Sequence, residues 1–168
     1  MCNIQRTMRT LALLACGLII YAPAAEAQEA EVEAAMLASL NAWNEGNVAA
    51  FGAFFTPDAR GFNLDGGLLI RGFNSQALEA ALAAGFGIDV EPRDIDVKVY
   101  GNTAVGVAYL DGSITLPGGT IREGIWRYSE TRVNEGGTWK VVQYHISQMT
   151  VTVPRPQRKP DSVRLPLA

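Results

Sequence analysis

The stretch from Ser129 to Ser147 constrains this chain most. Ser129-Glu130-Thr131-Arg132-Val133 and Trp139-Lys140-Val141-Val142-Gln143-Tyr144-His145-Ile146-Ser147 are rich in β-branched and aromatic residues, and they flank Asn134-Glu135-Gly136-Gly137. Two such runs around a glycine-containing turn predict a β-hairpin. The pairing also brings the single histidine, a serine and an arginine into one neighbourhood.

The opening residues read differently. Arg6 and Arg9 precede an apolar run from Leu11 to Ala22, and small residues follow as far as Ala25-Glu26-Ala27. A charged start, an apolar middle and an A-x-A end predict a secretory signal peptide over residues 1–27, cut after Ala27. Two other readings stand beside it: an uncleaved anchor helix, and a lipoprotein signal at Leu13-Leu14-Ala15-Cys16. The run falls short of the roughly 20 apolar residues of a membrane span, and it continues past Cys16. The expected location is therefore secreted or periplasmic, with membrane contact only through the leader during export.

Both cysteines, Cys2 and Cys16, lie in this leader. The mature chain would keep 141 of the 168 residues, without a disulfide to support its core in an oxidising compartment. That length suits one domain, over residues 28–153. The remaining 12 basic and 16 acidic residues leave a net charge of −4. A mildly acidic chain without a basic stripe predicts no nucleic-acid partner. Residues 154–168 mix Arg155, Arg158, Lys159 and Arg164 with Pro154, Pro156, Pro160 and Pro166. They read as a Pro-rich disordered tail.

Val32, Met36, Leu40 and Trp43 recur at helical spacing, which predicts a helix from Glu29 to Asn44 closed by Gly46. A second short helix is expected from Val48 to Phe55, broken by Thr56-Pro57-Asp58. Ala59 to Asn63 and Leu68 to Arg71 read as a short hairpin around Asp65-Gly66-Gly67. Asn74 or Ser75 can cap a helix from Gln76 to Ala84, ended by Gly85. Four strands follow: Asp94 to Tyr100, Thr103 to Asp111, Thr120 to Val133, and Trp139 to Val151. Helices first and long antiparallel strands afterwards predict an α+β fold.

Two strands are apolar on both sides. Val105, Val107 and Tyr109 alternate with Ala104, Ala108 and Leu110; in the last strand Val141 opposes Val142, Tyr144 and Ile146. A sheet under one helical layer buries one face only. The second face then needs a cover, which predicts a homodimer or larger homo-oligomer packed sheet to sheet.

These segments resemble the NTF2-like superfamily (SnoaL-like type). Within it they are most similar to the association (hub) domain of calcium/calmodulin-dependent protein kinase II and its bacterial relatives. Three segments carry the resemblance: Asn41-Ala42-Trp43-Asn44-Glu45-Gly46-Asn47; Gly101-Asn102-Thr103-Ala104 running into Ala108-Tyr109-Leu110; and Ser129 to Ser147. It spans about Glu29 to Val153, and its last segment is the specific one. The resemblance implies a curved antiparallel sheet wrapped as a cone on N-terminal helices, assembly through the exposed sheet face, and a pocket lined by arginine, histidine and tyrosine. Arg132, His145, Ser147 and Tyr109 match that pattern. Asp111 departs from it, because the hub carries an arginine there.

By the period of two, Trp139, Val141, Gln143, His145 and Ser147 share one strand face, and Trp126, Tyr128, Glu130 and Arg132 share a face of the neighbouring strand. With both sets pointing into the cone, the expected ligand pocket holds His145, Arg132, Tyr109, Glu130, Asp111 and Ser147, with Trp43 as an apolar wall. His145 reads as a general base or a donor to a ligand, or as a buried histidine bonded to Ser147 or a carbonyl. Arg132 reads as an anion or carbonyl clamp, or as the ion-pair partner of Glu130 or Asp111. Tyr109, Trp43 and Trp126 read as core residues or as ligand contacts. One histidine and no mature cysteine predict no zinc site. No Walker, dinucleotide or G-x-S-x-G motif is present, and no cofactor is expected. Two functions fit: a small-ligand-binding or oligomeric assembly module, or an isomerase, dehydratase or cyclase using His145 with an acidic partner.

Overall fold

The computed structural model describes residues 24–64 and 66–149. Most of the predicted leader and all of the predicted tail lie outside them. Three helices, α1 (Ala24–Asn44), α2 (Val48–Gly52) and α3 (Ser75–Ala83), accompany six strands: β1 (Phe55–Phe62), β2 (Ile70–Arg71), β3 (Gly87–Tyr100), β4 (Thr103–Thr115), β5 (Ile121–Glu135) and β6 (Thr138–Gln148). The strands form one sheet in the order β2-β1-β6-β5-β4-β3. The expected α+β architecture is thus observed, as a curved, unclosed sheet wrapped on N-terminal helices.

The apolar stripe of α1 packs on that sheet. Val32, Met36 and Leu40 are buried, while Glu31 and Glu33 face water. The helix sits close to β4, where Gly106 leaves room: a Cβ there would stand 3.3 Å from the Met36 sulfur. At its end Asn44 clamps the helix to β3, donating to the Val90 carbonyl at 2.7 Å and accepting from the Val90 amide at 3.2 Å. The main core gathers Met36, Leu40, Leu110, Ile114, Trp126 and Ile146. Each large apolar side chain buried there contributes about 1.5–3 kcal/mol. A smaller cluster joins Val32, Val97, Ala104 and Trp139.

Two paired glycines accommodate the curvature. Gly112 (φ 153°) lies opposite Gly124 (φ 157°) across β4 and β5. A Cβ on Gly112 would collide with the Asp89 backbone. Glycine inside a strand marks such bends and close approaches.

Several element boundaries differ from the sequence reading, and two of the differences have a clear physical reason. The second helix stops at Gly52, and Thr56-Pro57-Asp58 begins β1 instead of ending a helix. Proline fits because β1 is irregularly paired there. Its register with β6 slips between Phe55 and Arg60, and β2 reaches only Arg60 and Gly61. Proline is confined to such unpaired or bulged strand positions. Strand β3 starts at Gly87, seven residues before the expected Asp94. A bulge between Arg93 and Asp96, with Asp94 at φ 52°, interrupts the alternation between its two halves.

Candidate functional site

The inner face of the sheet has two parts, one apolar and hollow, the other polar and filled. The hollow is a cavity of about 540 Å³ between α1, α2, α3 and the inner face of β1 and β6. Trp43, Phe51, Phe55 and Phe73 form its aromatic wall, with Tyr128 and Tyr144 from the sheet. Trp43 stacks on Phe51 at 5.8 Å and 10°, and Phe55 stacks on Phe73 at 5.2 Å and 20°. Such offset aromatic pairs make a rigid, flat-sided lining.

Glycines set that lining. A Cβ on Gly52 would strike the Phe73 ring, and one on Gly61 would overlap the Tyr144 ring. Their absence lets both rings lie against the backbone. Tyr144 also meets Phe55 edge-on, at 5.7 Å and 84°. Its hydroxyl donates to Asn63 Oδ1 at 3.3 Å. Asn74, the N-cap of α3, is the other amide on the lining, and its Oδ1 accepts from the Ala77 amide at 2.9 Å.

The filled part lies behind Tyr128. Its hydroxyl donates to Glu130 Oε2 at 2.6 Å. Arg132 donates from Nε to Glu130 Oε1 and from NH2 to Oε2, the latter at 3.1 Å. The same guanidinium donates to Ser39 Oγ at 2.9 Å and to the Trp139 carbonyl at 3.2 Å, and it lies 5.7 Å from the Phe54 ring. Both ionised side chains are 0% exposed. All three guanidinium nitrogens of Arg132 thus bond inside the protein, as a buried charge requires. Burial, then the adjacent Glu130 carboxylate, pushes the Tyr128 phenol well above its ordinary range.

The expected pocket does not assemble as one group. Arg132 and Glu130 do point inward, but into their own ion pair; neither lines the cavity. Of the two partners considered for Arg132, Glu130 is the one it takes. Asp111 instead bonds Arg93 at 2.5 Å on the outer face. His145, Ser147, Tyr109 and Asp111 occupy that outer face, opposite the cavity. His145 is solvent-exposed, paired across strands with Ser129 and edge-on to Phe62 at 6.0 Å. Of the seven expected residues, Trp43 lines the cavity. Trp126 is a fully buried core residue.

The physical reason is one extra residue. The β5–β6 register slips between Thr131 and Arg132, so that Gln143 faces Thr131 and Val141 faces Arg132, leaving Val142 unopposed. Such a bulge breaks the two-residue period. Trp139 and Val141 point inward before it, Tyr144 and Ile146 inward after it, and Gln143, His145 and Ser147 point out. The uninterrupted alternation assumed for this strand fails at that point. Tyr144, Phe73 and Asn63 escaped notice as site residues. The available signal was the pairing of Gly52 and Gly61 with an aromatic-rich segment.

No metal-holding group of acidic, histidine or cysteine side chains occurs among the described residues. None of their helices is long and apolar enough to cross a membrane.

Comparison with known proteins agrees with this architecture. No curated protein matches the chain. Among solved structures, a ketosteroid isomerase-like protein from Erwinia carotovora atroseptica is similar with a TM-score of 0.63, 20% identity, and coverage of 74% of this chain and 98% of that one. An NTF2-like protein from Cytophaga hutchinsonii gives 0.61 at 17% identity, covering 73% and 98%. The association domain of C. elegans CaMKII gives 0.59 at 16% identity, covering 73% and 97%. At these identities the likeness establishes the fold alone. The model of the SnoaL-like domain matches residues 32–152, most of the chain, and with that match the chain belongs to the SnoaL-like family of NTF2-like proteins.

Proposed function

We propose that this protein is a small-molecule-binding module whose ligand occupies the aromatic cavity, and that it works as a homodimer or larger assembly through the outer sheet face. The observation that carries the first part is the composition of the cavity wall. Among the described residues it is apolar and aromatic, with Asn63, Asn74 and two tyrosines as its polar groups. Apolar walls with a few oriented polar groups suit an organic ligand. The enzyme reading is the weaker one. It needs an acid or base beside the substrate, and the imidazole assigned that part lies across the sheet from the cavity.

The assembly reading rests on Val105, Val107 and Tyr109, each about 40% exposed on one face of β4. Charged Arg93, Asp96 and Lys98 border them on β3. An apolar centre with a polar rim suits an interface. Export rests on the pattern of residues 1–27. Residues 25–28 are exposed and Val32 is the first buried side chain of α1, so a cut after Ala27 spares the packed helix.

Titration with N-phenyl-1-naphthylamine, a neutral fluorophore, tests the cavity reading. Saturable enhancement near one equivalent per chain is expected. Ala81→Trp, which fills the cavity from α3, should abolish it, while His145→Ala should leave it unchanged. Absence of saturable binding, or equal binding by the filled variant, would count against the cavity.

A further inference from the structure

Resting on the cavity-binding reading, we infer that the ligand is an uncharged, largely apolar molecule that presents one hydrogen-bond acceptor, of the ketone or aldehyde class, to the side-chain amide of Asn63. Three observations combine. The first concerns charge. The described lining residues include no ionised side chain. The nearby ion pair is already closed, because Arg132 and Tyr128 both donate to Glu130. A ligand carboxylate or ammonium would leave water for a site whose described residues offer no counter-charge, which is strongly unfavourable.

The second concerns the sense of the polar groups. A carboxamide has an accepting and a donating end. Asn63 uses its oxygen to accept from the Tyr144 hydroxyl. Asn74 uses its oxygen to cap α3. Among the described residues neither amide nitrogen has a protein partner, so each amide offers the cavity a donor. The Tyr128 hydroxyl proton is committed to Glu130. The cavity therefore favours a ligand that accepts over one that donates.

The third concerns placement. Tyr144 is seated over Gly61 and held edge-on by Phe55, so the residue orienting Asn63 is itself fixed. Asn74 is tied to its helix cap. Asn63 can therefore be altered without uncapping α3. The stacked pairs Trp43–Phe51 and Phe55–Phe73 favour a flat apolar body beside that acceptor.

The test uses four naphthalenes of one shape, with affinities read by calorimetry: 2-acetylnaphthalene, 2-ethylnaphthalene, 2-naphthoate and 2-naphthylmethylammonium. The ketone should bind roughly five-fold tighter than the ethyl compound, the worth of one neutral hydrogen bond. Both ions should bind more weakly than either neutral compound. Asn63→Leu and Asn63→Asp should each bring the ketone to the affinity of the ethyl compound while leaving the ethyl compound bound. A ketone no tighter than the ethyl compound, a ketone advantage that survives both variants, or naphthoate as the tightest ligand would overturn the inference. Ethyl binding without a ketone preference defeats this inference alone. Failure of both neutral compounds defeats the cavity reading and this inference with it.

Discussion

The two faces of β4, β5 and β6 are mirror cases. On the inner face, charged and polar groups stand in an apolar place, and Glu130, Arg132, Tyr128 and Ser39 bond one another with no exposure of either ionised group. On the outer face, apolar groups stand in a polar place. Val105, Val107 and Tyr109 are each about 40% exposed within one chain. The difference teaches where each face spends its free energy. The inner network is a closed set whose members depend on one another. The outer stripe is an open one, complete only with something laid over it.

The sharpest way to break this contrast is to remove one inner charge. Arg132→Met leaves Glu130 buried beside Tyr128 without its cation. Loss of one member of a buried pair typically costs about 3–5 kcal/mol. His145→Ala, on the exposed side of β6, should stay within about 0.5 kcal/mol. Urea unfolding of the two variants measures both. Comparable losses would show that the two faces are not energetically distinct.

This contrast also separates what was legible in the sequence from what was not. The hairpin of β5 and β6, the stripe of α1 and the Asn74 cap follow from local rules, and each is where those rules place it. So does the inward set Trp126, Tyr128, Glu130 and Arg132, because β5 keeps its period of two through those residues. The bulge at Val142 was not legible. Val141 and Val142 are the same β-branched residue, so neither face rejects either one, and nothing local marks the extra position. That one residue sent His145 and Ser147 outward. The cavity was hidden for another reason: its wall comes from α2, the Phe73 segment, the residues after β1, and β6, which meet only through long-range packing.

The outer face offers the next test. Val107 sits in the cross-strand row with Asp96, Ser129 and His145, near the middle of the sheet. Val107→Lys places a flexible cation there. Within one chain an exposed change of this kind should shift stability by about 0.5 kcal/mol or less. In an assembly closed over this face, the lysine would be desolvated without a partner, which is costly. Sedimentation at micromolar concentration should show the parent chain as a dimer or larger species and the variant as a monomer. A parent chain that is already monomeric removes the assembly reading, and the stripe is then simply exposed.

A finer test comes from within the network. Tyr128→Phe removes one hydroxyl but leaves the Glu130–Arg132 pair. At neutral pH the lost bond to a charged acceptor should cost about 1.5 kcal/mol, toward the lower end for such bonds because the ion pair remains. The cost should vary with pH, and its sign follows from linkage. In the unfolded chain a tyrosine ionises near pH 10. In the folded chain burial, and then Glu130, holds the Tyr128 phenol protonated well above that value. Below pH 10 both states keep the proton, and the contribution is fully present. As pH rises past about 10, the unfolded chain releases a proton that the folded chain retains, so the parent loses stability by up to about 1.4 kcal/mol per pH unit. Phenylalanine has no proton to release, and the variant escapes that loss. The stability gap between parent and variant, measured by urea unfolding from pH 8 to pH 11, should therefore narrow at the alkaline end. A gap that stays constant over this range would mean that the hydroxyl is not held between Glu130 and the core as described, and the inner face would lose its claim to be a closed set.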